Sequence, residues 1–142
     1  MGVFKASMKV RFSDVDKAGI VYYPRFFHYF HVAFEEFFDS RLGVPYSEVL
    51  GTDRVGFPVV GVQTDFSVPI TFGDRIEIEV LVDRLGTKSA TFLYRLRKVG
   101  DDTVRAEARI TVACIDMDSF AAQPLTAKYR KLFEDYAATL AG

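Results

Sequence analysis

Two hydrophobic periods divide the chain. Between residues 24 and 41, Phe26, Phe30, Ala33 and Phe37 fall on one helical stripe, and Phe27, Phe34 and Phe38 widen it until most of the girth is apolar. Such a helix has to be nearly surrounded by protein, as in the grip of a curved sheet. Pro24 suits its first turn and Gly43 its C-terminal stop. Beyond the loop around Gly51 to Gly56 the period drops from 3.6 to 2. Val60, Val62, Thr64, Phe66, Val68 and Ile70 alternate with smaller or polar residues. Ile76, Ile78, Val80 and Val82 do so against Glu77, Glu79 and Asp83; Ala90, Phe92, Tyr94 and Leu96 against Thr91, Arg95 and Arg97. The run from Val104 to Cys114 repeats the pattern against Arg105, Glu107 and Arg109. Short breaks at Thr71 to Asp74, Arg84 to Lys88 and Val99 to Asp102 each contain Gly, which predicts antiparallel, hairpin-linked strands with one oily face. A first strand near Ser7 to Phe12 precedes the helix. A second amphipathic helix from Pro124 to Leu140 follows the strands, carried by Leu125, Tyr129, Leu132, Phe133, Tyr136 and Leu140. The sum is an α+β architecture in which one long apolar helix is wrapped by a five-stranded antiparallel sheet, with a C-terminal helix added.

The 142 residues fit a single domain, 1–142, large enough to bury its own core. Hydrophobic residues at 49% and charged residues at 26% exclude disorder as a main theme. Of the 14 Phe and 7 Tyr, nine crowd into residues 22 to 38. A net charge of −1 argues against a nucleic-acid partner bound through a broad basic footprint, and leaves room for a local phosphate site. The first twelve residues lack the apolar stretch of a signal peptide, and no apolar run approaches the ~18 residues of a membrane span. The expectation is a cytoplasmic protein with no membrane partner. Cys114 sits in an alternating apolar strand and is read as core filling rather than as a nucleophile.

The candidate chemistry lies between the first strand and the first helix. Asp14 and Asp16 stand in a short loop that contains Gly19 and runs into the helix opened by Pro24. Both aspartates are compatible with ordinary turn and capping duty. The same layout also places an acid next to the unpaired N–H groups and partial positive charge of a helix start, which can stabilise an oxyanion. Gly-x-Ser-x-Gly is absent and both histidines fall on one helix, so a Ser-His-Asp triad is disfavoured.

The segment Asp16-Lys17-Ala18-Gly19-Ile20-Val21-Tyr22-Tyr23-Pro24 resembles the D-x-A-G-I-V-x-Y-P signature of the 4-hydroxybenzoyl-CoA thioesterase family, and the order of elements is similar through almost the whole chain. The resemblance implies a hotdog fold, an acyl-CoA substrate and hydrolysis of its thioester without cofactor or metal. It implies that Asp16 attacks the acyl carbon or activates the attacking water, direct attack being favoured, and that the backbone N–H of Tyr23 polarises the carbonyl. Gly19 would allow close backbone approach. It also implies a homo-oligomer, a dimer of dimers, in which a neighbour helps to build the pocket; unpaired sheet edges and the abundance of Phe point the same way.

His28, His31 and Glu35 share one helical face and are read as a pocket or subunit-contact stripe rather than a metal site. His31 stands where the 4-hydroxybenzoyl enzyme has an aspartate that binds the substrate hydroxyl, so a strict para-hydroxyl requirement is not expected. For the nucleotide phosphates of CoA, the matching stretch Leu85-Gly86-Thr87-Lys88-Ser89 keeps only Lys88, with Arg84 as a possible assistant. The leading expectation is hydrolysis of a hydroxybenzoyl-, benzoyl- or related aryl-CoA. The alternatives are 1,4-dihydroxy-2-naphthoyl-CoA, short-chain aliphatic acyl-CoA or acyl-carrier-protein thioesters, and a non-enzymatic acyl-CoA-binding module. A hotdog dehydratase is disfavoured by the loop signature.

Overall fold

Phe30, Phe37 and Phe38 are fully buried in the computed structural model, which describes residues 2–141. All three belong to one continuous helical segment. Helix α1 spans Pro24–Glu36 and passes into a wider π-helical turn, Phe37–Leu42. The turn stops at Gly43, whose φ of +75° is left-handed and whose N–H, with that of Val44, is accepted by the Phe38 carbonyl.

Strand β1 (Phe4–Lys9) precedes this segment and a 3-10 turn (Phe12–Asp14) joins the two. After the segment come α2 (Tyr46–Gly51), β2 (Val55–Gly56), β3 (Val59–Phe66), β4 (Arg75–Leu85), β5 (Ser89–Lys98), β6 (Val104–Ala113), β7 (Ile115–Asp116) and α3 (Ala127–Ala141). Five strands form one antiparallel sheet in the order β1-β4-β5-β6-β3, and β2 pairs separately with β7. At β2, a Cβ on Gly56 would meet Met117 Sδ at 2.6 Å and Ile115 Cγ1 at 3.0 Å, so any side chain there would displace these two.

Ile76, Ile78, Val80, Phe92, Tyr94, Leu96, Ala106 and Ala108 form the buried sheet face that grips α1. The rings interlock edge to face or tilted: Phe34 with Phe92 at 5.4 Å, Phe30 with Tyr94 at 5.4 Å. Helix α3 closes the far end. Phe133 meets Phe92 at 5.3 Å, and the Tyr136 hydroxyl donates to the Val80 carbonyl while accepting the Phe4 N–H at 2.9 Å. The opposite sheet face carries cross-strand pairs such as Arg95 with Glu107 and Thr91 with Thr111, each worth little alone.

The structure corrects the sequence reading in three places. β1 ends at Lys9, not Phe12, because Val10 bonds to Asp74 and the chain then turns on Asp14. The 84–88 and 99–102 breaks are hairpins, but 71–74 is not: β3 pairs with β6 at the sheet edge, and residues 67–74 cross back to β4. Finally, Val60, Val62, Phe66 and Val68, read as part of the oily face, stay exposed on that edge. Helix α2 and the β2–β7 pair, too short to show a period, were not anticipated.

Asp14 is the joint between β1 and α1. It is buried, its Oδ2 accepts the Arg11 N–H at 2.9 Å, and its Oδ1 accepts Arg25 through Nε at 3.0 Å and through the terminal nitrogen at 2.9 Å. Burial acts to raise its pKa. The Arg11 N–H, the Tyr29 hydroxyl turned toward it and Arg25 outweigh that, so the carboxyl lies below its ordinary value of 3.8. A carboxyl lowered by folding contributes stability that is complete above its unfolded pKa and is lost as pH falls through the folded one. Asp14→Asn is therefore expected to lower stability at pH 7 by about 1–3 kcal/mol and to flatten the loss of stability below pH 4, both read from urea unfolding across pH.

Candidate active site

The loop between the 3-10 turn and α1 is held from both sides. Val15 bridges Val21, and the β3–β4 crossover supplies the rest: Ile20 bridges Thr71, the Val21 N–H donates to Ile70 at 2.8 Å, and the Phe72 N–H to Gly19 at 3.1 Å. Within the loop the Asp16 N–H donates to Ile20 and the Gly19 N–H to Asp16. Gly19 has a φ of +77° with open space around its Cβ position, so the turn itself, and not close approach within this chain, demands glycine. The Asp16 side chain is exposed, and Oδ1 accepts the Ala18 N–H at 2.8 Å. Its groove is flanked by Phe12 and Phe72, 79% and 56% exposed, whose rings stack edge to face at 5.8 Å.

The helix start is narrower than its sequence implied. The Tyr22 N–H donates to Asp14, Pro24 has none, and those of Arg25 and Phe26 turn back to Tyr22 and Tyr23. Among the described residues, the Tyr23 N–H is left without a backbone partner at this partly positive end. It borders a depression formed by Ile20, Phe26, Phe66 and Val68. Tyr23 itself is exposed, its ring against Tyr22.

Further along the same seam, between α1 and the β3 edge, lies an apolar cavity of about 270 Å³ walled by Phe27, Phe30, Phe34, Phe57, Val62 and Tyr94. Phe66 separates the two hollows, 5.0 Å from Phe26 and 6.5 Å from Phe27. His31 stands at the cavity rim, half exposed, with Nε2 3.9 Å from Glu35. Burial pushes the Tyr94 phenol far above its usual pKa, and burial with Glu35 nearby pushes Tyr46, beside His31, up to about 12. Both remain neutral hydroxyl donors at physiological pH. Sequence reading passed over Tyr46 and took Tyr94 for ordinary core; only the β5 alternation, which turns Tyr94 inward, hinted at it.

The histidine stripe is divided. His28 faces a different pocket beside Arg11 and Arg25, and no group of three metal-ligating side chains forms among the described residues. Arg84 and Lys88 are exposed at the opposite end of β4 from the Asp16 loop, which is tied to Thr71 and Phe72. The strand Arg75–Leu85 alone accounts for about 30 Å. Asp16 and Gly19 thus share one groove, and Tyr23 borders the depression that Ile20 of the same loop lines; His31 is two turns down the helix; Lys88 and Arg84 are remote within one chain.

The chain as a whole has counterparts among known proteins. A family model described as the Thioesterase-like superfamily matches residues 10–132. The 1,4-dihydroxy-2-naphthoyl-CoA hydrolase of Nostoc punctiforme is 29% identical over 122 residues, 86% of this chain and 80% of that protein. The acyl-CoA thioesterase YbgC of Haemophilus influenzae is 27% identical, over 80% and 82%. The solved gentisyl-coenzyme A thioesterase superposes with a TM-score of 0.80 at 28% identity, over 89% of this chain and 99% of that one. None of the three is named for 4-hydroxybenzoyl-CoA. With the five-stranded sheet wrapped on one long helix, the match places this chain in the Thioesterase-like superfamily, as a hotdog-fold thioester hydrolase.

Proposed function

We propose that the protein hydrolyses aromatic acyl-CoA thioesters, and that dihydroxynaphthoyl-CoA and related hydroxyaryl-CoA compounds are its best substrates. The observation that carries this reading is the ring-lined cavity with His31 at its rim and the neutral Tyr94 phenol in its wall. At about 270 Å³ it is at the small end of ligand pockets, which suits a ring system rather than a long acyl chain. Neutral histidine can donate from one nitrogen and accept at the other, so ring hydroxyls in several positions find a partner, unlike at an acceptor-only carboxylate. The names of the naphthoyl and gentisyl relatives support the same class.

In this reading the thioester carbonyl sits at the Tyr23 N–H, which stabilises charge developing on its oxygen. Asp16 either attacks the acyl carbon, expelling the CoA thiolate and leaving an anhydride that water then hydrolyses, or activates water to displace the thiolate directly; both routes release the free acid. One chain does not close this site: the seam is open along β3, whose outer edge has no strand partner among the described residues and whose Val59, Val60, Val62 and Phe66 are exposed. A second copy set antiparallel on that edge would cover it. It would also bring its own Lys88 end, where Val59 pairs with Val112, next to the Phe66 end, where Asp16 lies. Lys88 and Arg84 would then serve the CoA phosphates across the interface, from which we propose at least a dimer.

Asp16→Ala and Asp16→Asn are expected to cut hydrolysis by about 10²- to 10⁴-fold with unchanged circular dichroism; near-normal turnover in Asp16→Asn rejects the mechanism. Sedimentation should show a dimer or tetramer, and a fully active monomer would refute the shared site. On a panel of aryl- and alkyl-CoA thioesters, His31→Ala should reorder the aromatic substrates while barely moving the melting temperature, and His31→Asp should favour 4-hydroxybenzoyl-CoA. An unchanged ranking in both would mean that His31 does not read the acyl group.

A further inference from the structure

On the other side of the 3-10 turn from the Asp16 groove lies a second, smaller pocket of about 200 Å³. Lys9, Arg11, Arg25 and His28 frame it, Ser13 adds a hydroxyl, and the buried Tyr29 lies at its base beside Asp14. Asp14 is the acid in this lining, and its carboxylate is matched by Arg25 and the Arg11 N–H. The side chains of Lys9 and Arg11 have no ion-pair or hydrogen-bond partner among the described residues. Arg75, also unpaired among them, faces Lys9 directly across the β1–β4 ladder. Like charges set opposite each other on adjacent strands repel. On a chain of net charge −1, this corner concentrates uncompensated cations round a concave surface with hydrogen-bond donors.

We propose that the Lys9–Arg11–Arg25–His28 pocket binds a phosphate monoester. Arg25 is held in place by Asp14, so one guanidinium is pre-set before the anion arrives; Arg11 can then meet the phosphate with the two parallel donors that a planar guanidinium offers. Lys9 and His28 close the remaining sides, and the Ser13 hydroxyl supplies a neutral donor. The pocket shares only Ser13 with the Asp16 groove, so its occupancy is separable from the chemistry there. The phosphate has two possible sources, the 3′-phosphate of a bound CoA or a free phosphorylated metabolite.

The test titrates the full-length protein with inorganic phosphate and with adenosine 3′,5′-bisphosphate, reading the His28 ring signals by NMR and the affinity by calorimetry, without turnover. Saturable binding that shifts the His28 signals, weakens with salt and drops about tenfold or more in Lys9→Gln/Arg11→Gln is expected. Competition of phosphate by CoA but not by dephospho-CoA identifies the 3′-phosphate; binding that neither displaces identifies a separate metabolite site. Absence of saturable binding up to about 10 mM, or affinity unchanged in the double variant, overturns the proposal. Loss of thioesterase activity in Asp16 variants has no bearing on either result, so failure of this site and failure of the proposed hydrolysis are told apart.

Discussion

Everything in this molecule is arranged around one constraint: a helix with aromatic side chains on most of its circumference has to be enclosed. Phe30, Phe37 and Phe38 are fully buried and Phe34 nearly so, and each such ring contributes roughly 1.5–3 kcal/mol when taken from water. A flat sheet would cover one side of such a helix. The twisted antiparallel sheet curls round it, and α3 caps the end that the strands leave open. The π-helical turn at 37–42 widens the helix where Phe37 meets α3 and the sheet and Phe38 meets α3.

The enclosure is incomplete at one place, and part of the proposed site lies there. β3 is an edge strand with its apolar side chains in the open, and the Tyr23 depression and the His31 cavity lie along the seam it forms with α1. The crossover that leaves β3 for β4 does more than connect strands. Through Ile70, Thr71 and Phe72 it fixes the Asp16 loop against the helix start, so the most irregular link in the topology is the one that positions the acid.

Two carboxylates only two residues apart divide the work by environment. Asp14 is buried, ion-paired and bonded to the backbone, which makes it a structural joint. Asp16 is exposed in a groove, with one oxygen bonded inside its own turn. A group proposed for attack must be reachable, whereas a group that holds two elements together must not be shared with water. The same contrast separates His28 from His31: they share a helical face by spacing, yet one turns to cations and the other to aromatic rings.

Local pattern was sufficient for the long helix, its stop at Gly43, four of the strands in outline, the C-terminal helix and the candidacy of Asp16, Gly19, Tyr23 and His31. Each depends on period, on backbone geometry or on a compact motif, all of which are properties of neighbouring residues. What the tertiary structure decided are the features created by contacts between distant segments. They include the pairing of β3 with β6 rather than β4, the exposure of Val62 and Phe66 and the role of Tyr94 in a cavity wall. The separation of Lys88 from Asp16 is of the same kind: the two are distant in sequence and distant in one chain, because they lie at opposite ends of the strands. Alternation tells which face a side chain takes, but not which strand comes to lie beside it; that choice is made by whichever arrangement encloses the aromatic helix.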